Sequence, residues 1–84
     1  MNITEVKVRR VEAETRLKAI ASITFDNDFV VNDIKIIESD KGCFIGMPCR
    51  KMSDGTYKDV AHPINAKARE EIQQAILAEY EKTK

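Results

Sequence analysis

Residues 42–65, GCFIGMPCRKMSDGTYKDVAHPIN, decide the fold, because within them an apolar strand passes through a basic turn into a second strand and then a helix start. Cys43–Met47, CFIGM, has the length and apolar content of a short strand, and Pro48 ends its capacity to donate to a ladder. Arg50-Lys51-Met52-Ser53-Asp54-Gly55 is a polar loop closed by Asp-Gly, from which Thr56–Val60 returns as a strand. That pairing predicts a β-hairpin with Arg50, Lys51 and Lys58 near its tip. His62-Pro63 then holds the chain extended, since a residue before proline is biased away from helix. Asn65 falls where an N-cap belongs, a position worth about 1 kcal/mol relative to alanine.

Beyond Asn65, Ala66–Lys82 is the one convincing helical segment. Ala68, Ile72, Ala75, Ile76 and Tyr80 form a stripe at helical spacing, with Leu77 off it and Glu70, Gln74 and Glu81 opposite. Such a helix packs on one surface only, and that surface must be built from the residues before Gly42. Phe29–Glu38, FVVNDIKIIE, is β-branched and carries apolar groups on both parities: Val30, Ile34 and Ile36 against Phe29, Val31 and Ile37. It reads as a central strand, or one whose outer face a partner covers. Arg16–Phe25, RLKAIASITF, alternates cleanly, with Leu17, Ala19, Ala21, Ile23 and Phe25 on one side. The small Ala19 and Ala21 leave room for a helix to approach the sheet closely. Ile3–Glu12, ITEVKVRRVE, places Val6 and Val8 opposite Glu5, Lys7 and Arg9. Turns are expected at Ala13–Thr15, Asp26–Asp28 and Ser39–Gly42.

The sum is an α+β fold: an antiparallel sheet of about five strands, roughly residues 3–61, under a single helix at about 66–82. A chain of 84 residues is expected to form one domain over 1–84, and at that size a solitary core is marginal, so a homodimer is expected. Fourteen Lys and Arg balance fourteen Asp and Glu, so a polyanionic partner must be recognised by local clustering of cations and not by net charge. Two cysteines are too few for a disulfide scaffold, no secretory segment precedes Ile3, and no apolar run approaches the roughly 20 residues that span a bilayer. A cytoplasmic protein with free thiols and no membrane association is the expectation.

Cys43, Cys49 and His62 are the candidates for metal or nucleophile chemistry. Three ligands at C-x5-C spacing with an intervening proline fall short of a zinc site, so no metal is expected. A Cys-His pair lacks an orienting third group. His62 and Asp59 have opposite parity in a strand, which weighs against a dyad, and a structural role at the sheet-to-helix corner is the simpler reading. No set of acid, base, nucleophile or cofactor loop emerges, so no enzyme activity, cofactor or small-molecule substrate is expected. The basic residues recur at strand and loop ends: Lys7, Arg9 and Arg10, then Arg16 and Lys18, then Arg50, Lys51 and Lys58. They read either as a mixed solvated face or as a local positive patch for phosphate.

VKVRRVE, LKAIASITFDNDFVVNDIKII, GCFIGMPCRKMSDGTYKDVAHPIN and the helix opening AKAREEIQQAIL together resemble the stage V sporulation protein G (SpoVG) family over nearly the whole chain. The resemblance implies a small cytoplasmic bacterial protein with an antiparallel sheet and a C-terminal helix, forming a homodimer. It further implies a site-specific DNA-binding regulator, in a family that also binds RNA, linked to sporulation and the control of septation. The family's basic pair after the MP motif corresponds to Arg50 and Lys51, and its basic residues on the first two strands to Arg9, Arg10 and Arg16; Lys58 joins them as the cation on the returning strand. Cys49 departs from the serine commoner among relatives, which weakens any role for its thiol. The rival expectation is a protein-interaction module of the division or sporulation machinery that accepts a partner strand on a free sheet edge.

Overall fold

The computed structural model describes residues 2–11 and 15–83. Strands β1 (Ile3–Arg10), β2 (Leu17–Phe25), β3 (Phe29–Ser39) and β4 (Gly42–Gly46) form an antiparallel sheet in the order β1-β2-β3-β4. Strands β5 (Cys49–Lys51) and β6 (Tyr57–Asp59) form a separate two-stranded ribbon, and helix α1 (Ala66–Glu81) closes the chain. The α+β class and the single C-terminal helix agree with the sequence reading, with six strands in two sheets in place of about five. Glu12 and most of the turn expected at Ala13–Thr15 lie outside the described residues.

The expected hairpin between Cys43–Met47 and Thr56–Val60 is not formed. Residues 42–46 pair instead with β3, and Tyr57–Asp59 returns onto Cys49–Lys51, on the far side of Pro48. Proline has no N–H to carry a ladder, so the strand is cut there and the second piece finds its own partner.

Two irregularities in the β2–β3 pair settle which face each apolar residue takes. Ala21 pairs with Ile34 but Ile23 pairs with Val31, so one extra β3 residue is accommodated near Asp33, whose φ is +63°. A bulge exchanges the faces of everything beyond it. Val31, Ile34 and Ile36 therefore all address the core despite mixed parity, which explains the two-faced pattern of the sequence. At the other end Leu17 pairs with Ile37 while Ala19 pairs with Ile36, an extra residue now falling on β2. Leu17 consequently lies outside the core, against the expectation that it shared a side with Ala19.

The core is the seat of α1 on the sheet: Ile72, Ile76 and Tyr80 lie over Ala19, Ala21, Ile23, Ile34 and Ile36. The alanines permit this approach, as their size suggested. Leu77, off the expected stripe, also packs on the cluster. Asn65 caps the helix, its Oδ1 accepting from the Ala68 N–H at 2.7 Å. Between β2 and β3, Asp26 and Asn27 both take positive φ and the Asp28 N–H donates to the Phe25 carbonyl, a type I′ turn. That turn is tied to the chain start, the Asp26 N–H donating to the Asn2 carbonyl and the Asn27 N–H to Thr4 Oγ1.

Ile76 is fully buried at the centre of this seat. Ile76→Ala is expected to cost about 2–5 kcal/mol, against about 1 kcal/mol for Asn65→Ala; urea denaturation followed by circular dichroism reads both as lowered midpoints.

Candidate nucleic-acid interface

The ribbon begins where Pro48 frees the chain from β3, and its tip is built from local hydrogen bonds. The Gly55 N–H donates to the Met52 carbonyl and the Met52 N–H to the Thr56 carbonyl, closing a three-residue loop. Gly55 has φ +89°, a conformation that an L side chain resists, so glycine is required at this point of the loop. Asp54 Oδ1 accepts from both the Thr56 N–H at 3.0 Å and the Thr56 hydroxyl at 2.6 Å. The hydroxyl bond, followed by the backbone bond, holds the Asp54 carboxyl below its usual value. At the base, the Val60 N–H donates to the Pro48 carbonyl.

Cross-strand pairing sorts the cations. Arg50 stands directly opposite Lys58, while Lys51 stands opposite Tyr57 on the other face, with Cys49 opposite Asp59. Arg50 and Lys51, adjacent in sequence, therefore point away from each other, and the true neighbour of Arg50 is Lys58. Both are exposed, and among the described residues neither enters an ion pair. Like charges directly opposite one another destabilise a ladder by a few tenths of a kcal/mol or more.

The remaining predicted residues are placed elsewhere. Arg9 pairs with Ile20 on the sheet face opposite α1. Arg10 lies on the helix side, where its Nη1 donates to the Thr83 carbonyl at 3.3 Å, just past the end of α1. A cation at a helix C-terminus is favoured by the helix dipole, which gives Arg10 a structural task. Arg16 precedes β2, its carbonyl accepting from the Glu38 N–H at the end of the sheet remote from the ribbon. The three do not join Arg50 and Lys58 in one patch within a single chain.

Sequence reasoning missed an apolar end to the molecule. Phe29, Tyr57, Val60 and Ile64 are 64%, 68%, 68% and 88% exposed. Phe29 and Ile64 border a groove of about 860 Å³ lined also by Ile23, Phe25, Val31, Met47 and Ile72, and Val60 borders a neighbouring hollow with Phe29. Ile64 was concealed by its place in the corner AHPIN, where an apolar residue between proline and an N-cap carries no periodic signal. His62, also in that corner, sets Nδ1 3.0 Å from the Pro63 carbonyl. Cys43 is half-buried against the core and Cys49 is exposed; both are free thiols. Among the described residues no three His, Cys, Asp or Glu side chains gather as a metal site, and no helix is long and apolar enough to cross a membrane.

A four-stranded antiparallel sheet backed by one C-terminal helix, with a detached cationic ribbon before that helix, defines a small α+β protein whose distinctive surface is the ribbon. The chain belongs to the SpoVG family, whose model matches residues 1–82. It is 62% identical over 84 residues to a protein of Clostridium kluyveri, covering all of this chain and 88% of that one. It is 61% identical over 84 residues to one of Clostridium perfringens, covering 93% of it, and 58% over 82 residues to one of Alkaliphilus oremlandii, covering 88% of it. All three bear the name "Putative septation protein SpoVG", which denotes no enzyme.

The lowered Asp54 pKa makes the loop acid-sensitive. The stabilisation it reports is fully present above the ordinary carboxyl value of 3.8 and is lost as pH falls through the lowered folded value. Thr56→Val, which removes the hydroxyl bond but keeps the backbone one, is expected to raise the Asp54 midpoint towards 3.8 in a carboxyl-carbon NMR titration.

Proposed function

We propose that this chain is a homodimeric, cytoplasmic nucleic-acid-binding regulator of sporulation and septation, gripping duplex phosphates through the Arg50–Lys58 ribbon. The observation that carries the reading is the cross-strand cation pair without a counter-ion, exposed at the end of the molecule. Two cations on one face of a protruding ribbon supply the charge that a phosphate backbone neutralises, and Lys51 adds a third on the reverse. The names of the relatives support the septation role. Contacts of this kind give affinity and positioning, with limited sequence readout of their own.

The dimer rests on size and on the apolar end. An 84-residue chain buries a small share of its surface, and exposed Phe29, Val60 and Ile64 along an apolar groove and the hollow next to it are the kind of patch that a second copy covers. Val60 directly follows the ribbon, so two-fold pairing at this end would bring two ribbons, and four paired cations, together.

A second reading has its own observation. Among the described residues β4 pairs with Lys35–Ser39 and Phe29–Asp33 has no ladder partner on that side, where it borders a hollow with Pro48, Cys49, Val60 and Ala61, as a strand-accepting interaction module requires.

Fluorescence anisotropy against a labelled duplex across a salt series tests the first reading. If about six phosphates are contacted, log affinity falls with log salt at a slope near −5. Arg50→Ala with Lys58→Ala is expected to make the slope less negative by about 1.8 per protomer; an unchanged slope would remove the ribbon from the interface. Ile64→Glu is expected to shift sedimentation from dimer to monomer, and a wild-type chain already monomeric at micromolar concentration would defeat the dimer.

A further inference from the structure

The face of the four-stranded sheet opposite α1 carries more than a solvated face requires. Following the register across the strands gives two adjacent rows. One runs Arg9, Ile20, Lys35, Gly46 from β1 to β4, and the next runs Leu17, Ile37, Phe44 from β2 to β4. Ile20, Leu17, Ile37 and Phe44 lie outside the core beneath the helix, and Phe44 is 42% exposed. The bulge on β2 is what brings Leu17 into this row. Gly46 places no side chain over its neighbours: a Cβ there would stand 3.3 Å from Ile37 Cδ1 and 3.8 Å from Lys35 Cβ.

Arg9 and Lys35 are exposed and, among the described residues, enter no ion pair. The two rows contain no carboxylate. Around them Glu5 is bridged to Lys7 at 3.4 Å, Glu38 to Lys18 at 3.6 Å, and Asp33 borders a hollow with Lys7 and Arg9. The Lys35–Phe44 half of the face is therefore cationic and apolar together.

We propose that this face binds single-stranded nucleic acid, with backbone phosphates at Arg9 and Lys35 and a base laid on the Phe44 ring. The proposal deepens the nucleic-acid reading above and rests on it. Arg9 and Lys35 sit two strand spacings apart, roughly 10 Å, on either side of Ile20. Cations and an exposed aromatic ring on one sheet face suit unpaired bases, whose π-faces are free, and not a duplex, whose faces are stacked inside. A protein partner or second copy covering the same apolar row would bury two unpaired cations at a cost that a polyanion removes.

The test compares the wild type, Lys35→Ala, Phe44→Leu and the double variant Arg50→Ala, Lys58→Ala. Each is titrated by anisotropy with a labelled oligothymidylate and a labelled duplex of equal length, and each is sedimented. Phe44→Leu keeps apolar bulk while removing the ring, and is expected to weaken oligothymidylate binding roughly tenfold. Lys35→Ala is expected to make the single-strand salt slope shallower by about 0.7. Both should leave duplex affinity unchanged, which the ribbon variant alone lowers. Single-strand binding indifferent to both sheet variants, or a wild type that binds only duplex, overturns the sheet-face proposal and leaves the ribbon reading standing. A wild type that binds neither at low salt defeats both. Dissociation of a dimer by Phe44→Leu gives the face to a second copy and overturns the proposal.

Discussion

The structure depends on the seating of one helix stripe on a floor of small side chains. Ile72, Ile76 and Tyr80 succeed one another at intervals of one turn, and beneath them Ala19 and Ala21 let the helix axis come down onto Ile23, Ile34 and Ile36. Every residue buried in this arrangement is apolar, and no buried side-chain polar atom among the described residues lacks a partner. The seat thus gains the benefit of removing hydrocarbon from water, with the Tyr80 hydroxyl its one polar side-chain group. In so short a chain little else can supply cohesion. The ribbon, the corner before the helix and the bare sheet face all hang from that seat and are free to be shaped by other demands.

Those other demands are visible in the charge. Zero net charge conceals a sorting of cations by task. Arg10 spends its charge on the end of α1, Lys7 and Lys18 on Glu5 and Glu38, while Arg9, Lys35, Arg50 and Lys58 have no ion pair among the described residues. Exposed ion pairs contribute little to stability, so the fold loses little by leaving Arg9 and Lys35 unpaired, and only about a few tenths of a kcal/mol by facing Arg50 with Lys58. It does leave them available to a polyanion on two separate surfaces.

How legible this was from sequence depends on whether the signal was periodic. The helix, its Asn65 cap, the alternation of β2 from Ala19 to Phe25 and the glycine-closed loop at Asp54–Gly55 are local patterns, and each is legible in the sequence. The bulges near Lys18 and Asp33 were not, because an inserted residue breaks the alternation that a reader relies on; the mixed parity of FVVNDIKII was the only trace. Pairing across Pro48 also failed, since nothing local says which strand a returning segment will choose. The candidate site followed the same division. The sequence places Arg50 and Lys58 in one hairpin, but that they face each other while Lys51 faces away is a matter of register. Phe44 and Lys35 gained meaning only when rows could be followed across four strands.

The two bulges of the β2–β3 pair share a property beyond their separate effects on side-chain direction. One extra residue falls on β2 and one on β3, so the partners Leu17 with Ile37 and Ile23 with Val31 keep the same phase, while Ala19 to Ala21 between them is displaced by one position. Each bulge absorbs its own extra residue, so Ala19 to Ala21, the floor under the helix, keeps its partners on β3 and its face toward α1 while the chain on either side returns to one common frame.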